Sequence, residues 1–216
     1  MTLASFAALI GVWLAAIMSP GPDVFQIMRV GARSRRNGIL CALGIVFGNT
    51  IWLVASLIGL AALIQAVPEI LAVLQLVGGS YLIYMGFGAV RSGLATRKAP
   101  ATTTLRGPEM TGQQAFWLGV RTNLANPKAV LFYGAVFAQF VRPDMGMQWM
   151  FIIAVTLIVI ALLWFTLFAV FIRAIAKPLE KYGFIVDIVA GIIFIALGVW
   201  MVVEGAMGLF GAVDLV

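Results

Sequence analysis

Asp23 follows Ser19-Pro20-Gly21-Pro22 inside an apolar run from Leu3 to about Val30, and Lys128 follows Asn126-Pro127 inside a second such run. A carboxylate and an ammonium are costly in hydrocarbon, so side chains of this kind mark cavities, ion pathways or proton relays. Each stands directly after a proline, which lacks an N–H and clashes with the preceding helical turn. Where a half-helix begins, its free N–H groups and positive dipole end suit an anionic group such as a carboxylate. Asp23 suits an ammonium or a transferable proton. If Asp23 and Lys128 reach one cavity, they can grip the two ends of a zwitterion or pair with each other when it is empty. The competing reading is a fixed ion pair that only holds the two half-helices, and Lys128 can also snorkel to a wet vestibule. Ser19, Asn49, Asn123 and Asn126 are further candidates for substrate binding or proton coupling. The three asparagines, with Gln139, equally suit the task of satisfying backbone groups freed by the breaks. Pro20, Gly21, Pro22 and Pro127 are the break residues themselves.

Other chemistries fit poorly. There is one cysteine, Cys41, and no histidine. That excludes a disulfide within the chain, CxxC redox chemistry and a His/Cys metal site, and no cofactor is expected. Ser19 and Asp23 lie four apart, one helical turn, but the helix breaks between them and no histidine can serve as base. No enzyme is read here. Asp187, one turn inside the last apolar span, reads as interfacial rather than functional. Cys41 reads as a small core residue, and Trp and Tyr near span ends read as interface markers.

The elements that must position these groups are membrane helices. The 216 residues are 63% hydrophobic and 10% charged, with a mean hydropathy of +1.09. Several uncharged runs are about 20 residues or longer, enough to cross a bilayer. The net charge of +6 does not point to nucleic acid, because the basic residues cluster beside the spans, where they set topology. Arg29, Arg33, Arg35 and Arg36 follow the first span; Arg91, Arg97, Lys98 and Arg106 the third; Arg173, Lys177 and Lys181 the fifth. Arg142 falls on the other side with Glu69, Asp144, Glu204 and Asp214. Six spans with both termini outside follow from that asymmetry. No Lys or Arg precedes the first apolar segment and no small-residue cleavage site follows it, so it reads as a retained span.

The spans are expected at about 3–32, 38–64, 70–92, 112–141, 147–173 and 183–210. The first and fourth are too long for one straight crossing and are interrupted, at Pro20-Gly21-Pro22 and at Asn126-Pro127. Thr111-Gly112-Gln113-Gln114 has the form of a capping box that starts the fourth. Gly44 and Gly48 form GxxxG, which permits close backbone approach, and further glycines in spans two, three and six read as packing positions. Setting Pro22-Asp23-Val24 on Pro127-Lys128-Ala129 relates the halves by an offset of 105 residues. Residues 1–92 then form one three-helix repeat and residues 112–216 a second, with 93–111 a mobile cytoplasmic linker. Three spans per repeat make the repeats inverted. The expected fold class is an all-α integral membrane protein of two inverted three-helix repeats, each with a broken first helix, an arrangement of secondary transporters. A purely structural membrane subunit, with the GxxxG face on a partner helix, has no use for an unwound midplane.

Pro20-Gly21-Pro22, then Gly31, Gly38, Gly44 and Gly48, resembles the LysE/RhtB family of bacterial amino-acid exporters. Gly79-Ser80-Tyr81-Leu82-Ile83-Tyr84-Met85-Gly86 is similar to that family's third span. So is Gly119 with Asn123-Leu124-Ala125-Asn126-Pro127-Lys128-Ala129, Phe132 and Ala138-Gln139-Phe140 in the second half. One departure is Ala138, where many members carry proline. The resemblance implies export of an amino acid or small derivative across the bacterial inner membrane, driven by the proton gradient. The lack of other cavity charges favours a neutral amino acid over lysine or arginine. Expected partners are the amino acid, protons, the bilayer and a second copy in a homodimer. Export of another small solute or cation is the alternative; the missing His and paired Cys argue against a metal or redox cargo.

Overall fold

The computed structural model describes residues 1–67, 70–98, 110–140 and 145–210, with most of their side chains. Among the described residues the ordered elements are all helices: α1 (Leu3–Met18), α2 (Pro22–Gly31), α3 (Arg35–Ala66), α4 (Ile70–Lys98), α5 (Gly112–Leu124), α6 (Pro127–Phe140), α7 (Met147–Val170) and α8 (Ile172–Phe210). Arg106, Glu69, Arg142, Asp144 and Asp214 lie outside the described residues, as does most of the 93–111 segment expected to be mobile.

Four helices contain stretches long and apolar enough to cross a membrane: Arg35–Gly59, Ile70–Ala95, Met147–Val170 and Tyr182–Leu209. Helices α1 and α2 meet that measure as a pair bent by 50°. The chain is therefore a multi-pass helical membrane protein with a broken first span, as Pro20 and Pro22 require. α5 and α6 are two short helices on either side of Asn126, so the second interruption is also present. By length and composition this pair is not among the spans, so the described residues show four spans, or five with the bent pair counted as one. The physical reason is that α5 carries Gln113, Gln114, Arg121, Thr122 and Asn123 within 13 residues. Two boundaries also move. α4 continues to Lys98, beyond the expected end near 92, and α8 starts at Ile172 rather than near 183.

Helix starts follow local chemistry. Thr111 Oγ1 accepts from the Gln114 N–H (3.3 Å) while Gln114 Oε1 accepts from the Thr111 N–H (2.8 Å), the expected capping box. Thr2 caps α1 through a bond from the Ser5 N–H at 3.1 Å. Packing then depends on small residues, because lipid tails are as apolar as Leu and burial alone gives helices little reason to associate. A Cβ on Gly44 would collide with the Phe116 carbonyl, and one on Gly119 with the Cys41 carbonyl, so α3 and α5 touch backbone to backbone. The GxxxG face thus serves a contact within the chain. On α4 and α8 the glycines recur every seven residues and meet reciprocally. A Cβ on Gly86 would lie 2.6 Å from the Gly191 oxygen and one on Gly191 2.7 Å from the Gly86 oxygen; Gly79 and Gly198 repeat the relation at 2.7 and 2.6 Å. Cys41 is fully buried, as expected. Trp13, well inside the first span, is 2% exposed and packs against Phe132 and Tyr133.

Candidate functional site

At the first break α1 stops because Ser19 is extended (φ −61°, ψ 125°), the conformation a residue before proline prefers. The last carbonyls of α1 then lack helical partners. The Trp164 indole N–H donates to the Ile17 oxygen at 3.1 Å, and Lys128 Nζ donates to the Ser19 oxygen at 3.2 Å. A cation at the carbonyl end of a helix is also favoured by the dipole. Pro22 opens α2, and Asp23 occupies its first turn, where a carboxylate is favoured for the opposite reason.

The second break repeats this plan with a different cap. Asn126 Oδ1 accepts from the Lys128 N–H at 3.0 Å, which makes it the N-cap of α6. Its Nδ2 crosses to the other break and donates to Asp23 Oδ2 at 3.2 Å. Asn123 donates to the same oxygen at 2.9 Å and to Asn49 Oδ1 at 3.1 Å. Asn49 Oδ1 also accepts from the Tyr133 hydroxyl at 3.3 Å. Asp23 therefore ties α2 to both sides of the second break, and Asn123 extends the network to α3.

The network is incomplete. Among the described residues, Asp23 Oδ1, Asn49 Nδ2 and Asn123 Oδ1 are buried without a hydrogen-bond partner. Beside them is a cavity of about 30 Å³ lined by Asp23, Asn49, Asn126, Lys128 and Tyr133 among others. That is room for about one or two waters. Lys128 sits at the cavity edge with Nζ 6.0 Å from the Phe194 ring centroid. Among the described residues Asp23 and Lys128 form no ion pair within 4.0 Å. The fixed pair considered from sequence is absent from this conformation; the ammonium holds the end of α1 instead.

All six candidate residues converge here, though Ser19 contributes its carbonyl to Lys128. The asparagines are not only backbone partners: Asn126 both caps a helix and bridges, while Asn49 and Asn123 link side chains. Asp187 lies close to this site. It is 8% exposed and lines a second cavity with Ser19, Asn126 and Lys128. Tyr133 was not anticipated; nothing in its sequence setting separates it from a core aromatic.

A separate polar cluster involves Gln139. Its Nε2 donates to Glu204 Oε2 at 2.6 Å, Gln75 Nε2 donates to Gln139 Oε1 at 3.0 Å and to Glu204 Oε2 at 3.3 Å, and Trp200 Nε1 donates to Glu204 Oε1 at 2.9 Å. Gln139 thus joins α6 to α4 and α8 rather than serving either break.

Residues 14–205 match the family model described as LysE type translocator. An uncharacterized membrane protein of Haemophilus influenzae is 34% identical over 201 residues, covering 91% of this chain and 95% of the relative. The threonine efflux protein of Escherichia coli K12 is 32% identical over 199 residues, covering 89% and 95%. That of Salmonella typhimurium is 31% identical over 201 residues, with the same coverage of 89% and 95%. No solved structure matches the chain. With a match across nearly its whole length, the chain belongs to the LysE type translocators, the LysE/RhtB family, whose members are transporters and not enzymes.

Proposed function

We propose that this protein exports an amino acid, or a small amino-acid derivative, from the cytoplasm across the bacterial inner membrane in exchange for protons. The observation that carries the reading is the bridge between the breaks. One buried carboxylate, Asp23, holds the asparagines of the opposite break while its second oxygen has no partner among the described residues. An ionised carboxylate accepts from both amides; a protonated one turns one oxygen into a donor and weakens that grip. Protonation from outside would loosen the two broken spans and release cargo, and deprotonation toward the cytoplasm would restore the bridge for reloading. The naming of relatives as threonine efflux proteins favours a neutral amino acid as cargo.

This mechanism calls for six spans in two inverted repeats, with α5 and α6 together as the fourth. The repeat has support beyond the breaks. The offset of 105 residues that sets Pro22 on Pro127 also sets Gly86 on Gly191 and Gly93 on Gly198. Gly86 and Gly191 touch each other, as equivalent residues do beside a two-fold axis. The basic clusters favour both termini outside.

The test is to profile the medium of cells making wild-type protein or Asp23→Asn, both fed mixed dipeptides. One or a few amino acids are expected outside only with wild type. Matching media, with both proteins in the membrane, would overturn the role given to Asp23.

A further inference from the structure

The cavity at Asp23 cannot hold an amino acid: at about 30 Å³ it is about a tenth of the smallest usual small-molecule site. On the other side of Lys128 lies a cavity of about 310 Å³, open to the protein surface, which falls in the normal range for a small ligand. Ser19, Asn126 and Lys128 line both chambers and form the partition between them. The larger chamber also contains Asp187, from α8, which lines it together with Lys128 and Ser19. Tyr81 and Met85 on α4 and Phe194 on α8 give it an apolar wall. One ammonium and one carboxylate thus border an open, otherwise largely apolar space.

We infer that this second chamber is the cargo-loading site, with Lys128 receiving the carboxylate of a zwitterionic amino acid and Asp187 its ammonium. Asp23 stays out of contact with cargo in this conformation. Lys128 has hydrogens to spare for the task. Among the described residues its Nζ donates one hydrogen bond, to the Ser19 oxygen, and an ammonium has three donors. Asp187 supplies the opposite charge without breaking the Asp23 bridge. The arrangement rests on the amino-acid export proposed above and adds the residue that recognises the amine. It selects for molecules bearing both charges: an amino acid with its amine acylated leaves Asp187 buried without a cation, and an esterified one leaves Lys128 without an anion. Such unmatched buried charges are a strong means of rejection.

Two variants separate charge recognition from folding. Asp187→Asn keeps shape and removes charge. Gly88→Leu acts on the space itself, since Gly88 lines the chamber and a Cβ there meets nothing within 4 Å. Leu also favours a helix over Gly, so this variant is expected to fold.

The experiment measures binding of radiolabelled L-threonine to purified full-length protein, with N-acetyl-L-threonine and L-threonine methyl ester as competitors. Melting temperatures in detergent are recorded alongside. Wild type is expected to bind threonine and reject both derivatives. Asp187→Asn should bind threonine about ten- to a hundredfold more weakly, the range of charge-assisted hydrogen bonds. It should also lose its discrimination against the N-acetyl form while still rejecting the ester. Gly88→Leu should lose binding with its melting temperature unchanged or raised.

Wild-type affinity and discrimination in Asp187→Asn, or full binding by folded Gly88→Leu, would overturn the inference and leave amino-acid export intact. Should Asp187→Asn fail to fold, Gly88→Leu decides alone. If wild-type protein neither binds nor exports threonine or any member of a mixed amino-acid panel, the export reading fails and the loading site fails with it.

Discussion

At Glu204 both carboxylate oxygens are occupied: Oε1 by Trp200 and Oε2 by Gln75 and Gln139. At Asp23 only Oδ2 is, and two of the asparagine atoms around it are also without partners among the described residues. Both clusters join helices across the molecule with one acid and several amides. The two carboxylates differ in how completely they are satisfied. Leaving a buried polar atom unpaired costs about 1–3 kcal/mol, so a cluster that only held helices together would be selected toward the Glu204 arrangement. The Asp23 cluster retains an unpaired oxygen beside a water-sized cavity, which a proton or a water can use. One cluster fastens α4, α6 and α8; the other ties α2 to both sides of the second break with one carboxylate oxygen unengaged.

The largest effect expected from this contrast is functional. Asp23→Asn can still accept from Asn123 or Asn126 through its amide oxygen, so the protein should fold while gradient-driven export is lost. Glu204→Gln should do the reverse. Export should persist, and stability should fall by about 1 kcal/mol as bonds to a charged acceptor become neutral, read as a lowered melting temperature in detergent. Loss of export in a well-folded Glu204→Gln would remove the distinction between the clusters. Asn126→Ala falls between them. It deletes the α6 cap, at a cost of about 1 kcal/mol, and one of the two bonds to Asp23, so it should lower both melting temperature and export rate. The smallest effect is expected at Gly11, where an added Cβ meets nothing. Gly11→Ala should raise stability by about 0.5–1 kcal/mol through helix propensity and leave export unchanged, giving the baseline for the others.

The two breaks were legible because proline acts locally: Pro20 holds Ser19 out of the helical region, and Pro22 and Pro127 each stand at the first position of a new helix. Thr111 and Gln114 were legible for the same reason. The convergence of Ser19, Asp23, Asn49, Asn123, Asn126 and Lys128 could be anticipated because polar groups at membrane depth have few places to go. Their pairing could not. That Lys128 holds the Ser19 carbonyl rather than Asp23 depends on where α6 sits against the end of α1, which no local pattern encodes. Asp187 was read as interfacial from its distance to the end of an apolar run. The run's end is not the helix's end, since α8 starts at Ile172, and the open cavity beside Asp187 depends on how α4 and α8 pack. Gln75 carried no signal, because its partners Gln139 and Glu204 are 64 and 129 residues away. The fourth span was expected from a pattern matched to the first, but its polar first half keeps α5 and α6 from qualifying as a crossing by composition.

On the function proposed above, the carboxylate bridging the breaks couples proton movement to amino-acid movement. The most direct measurement is threonine flux from proteoliposomes with and without an imposed pH gradient, for wild type and Asp23→Asn. The gradient should accelerate wild-type flux and leave Asp23→Asn at a slow, gradient-independent rate. An equal acceleration of both proteins would contradict that coupling.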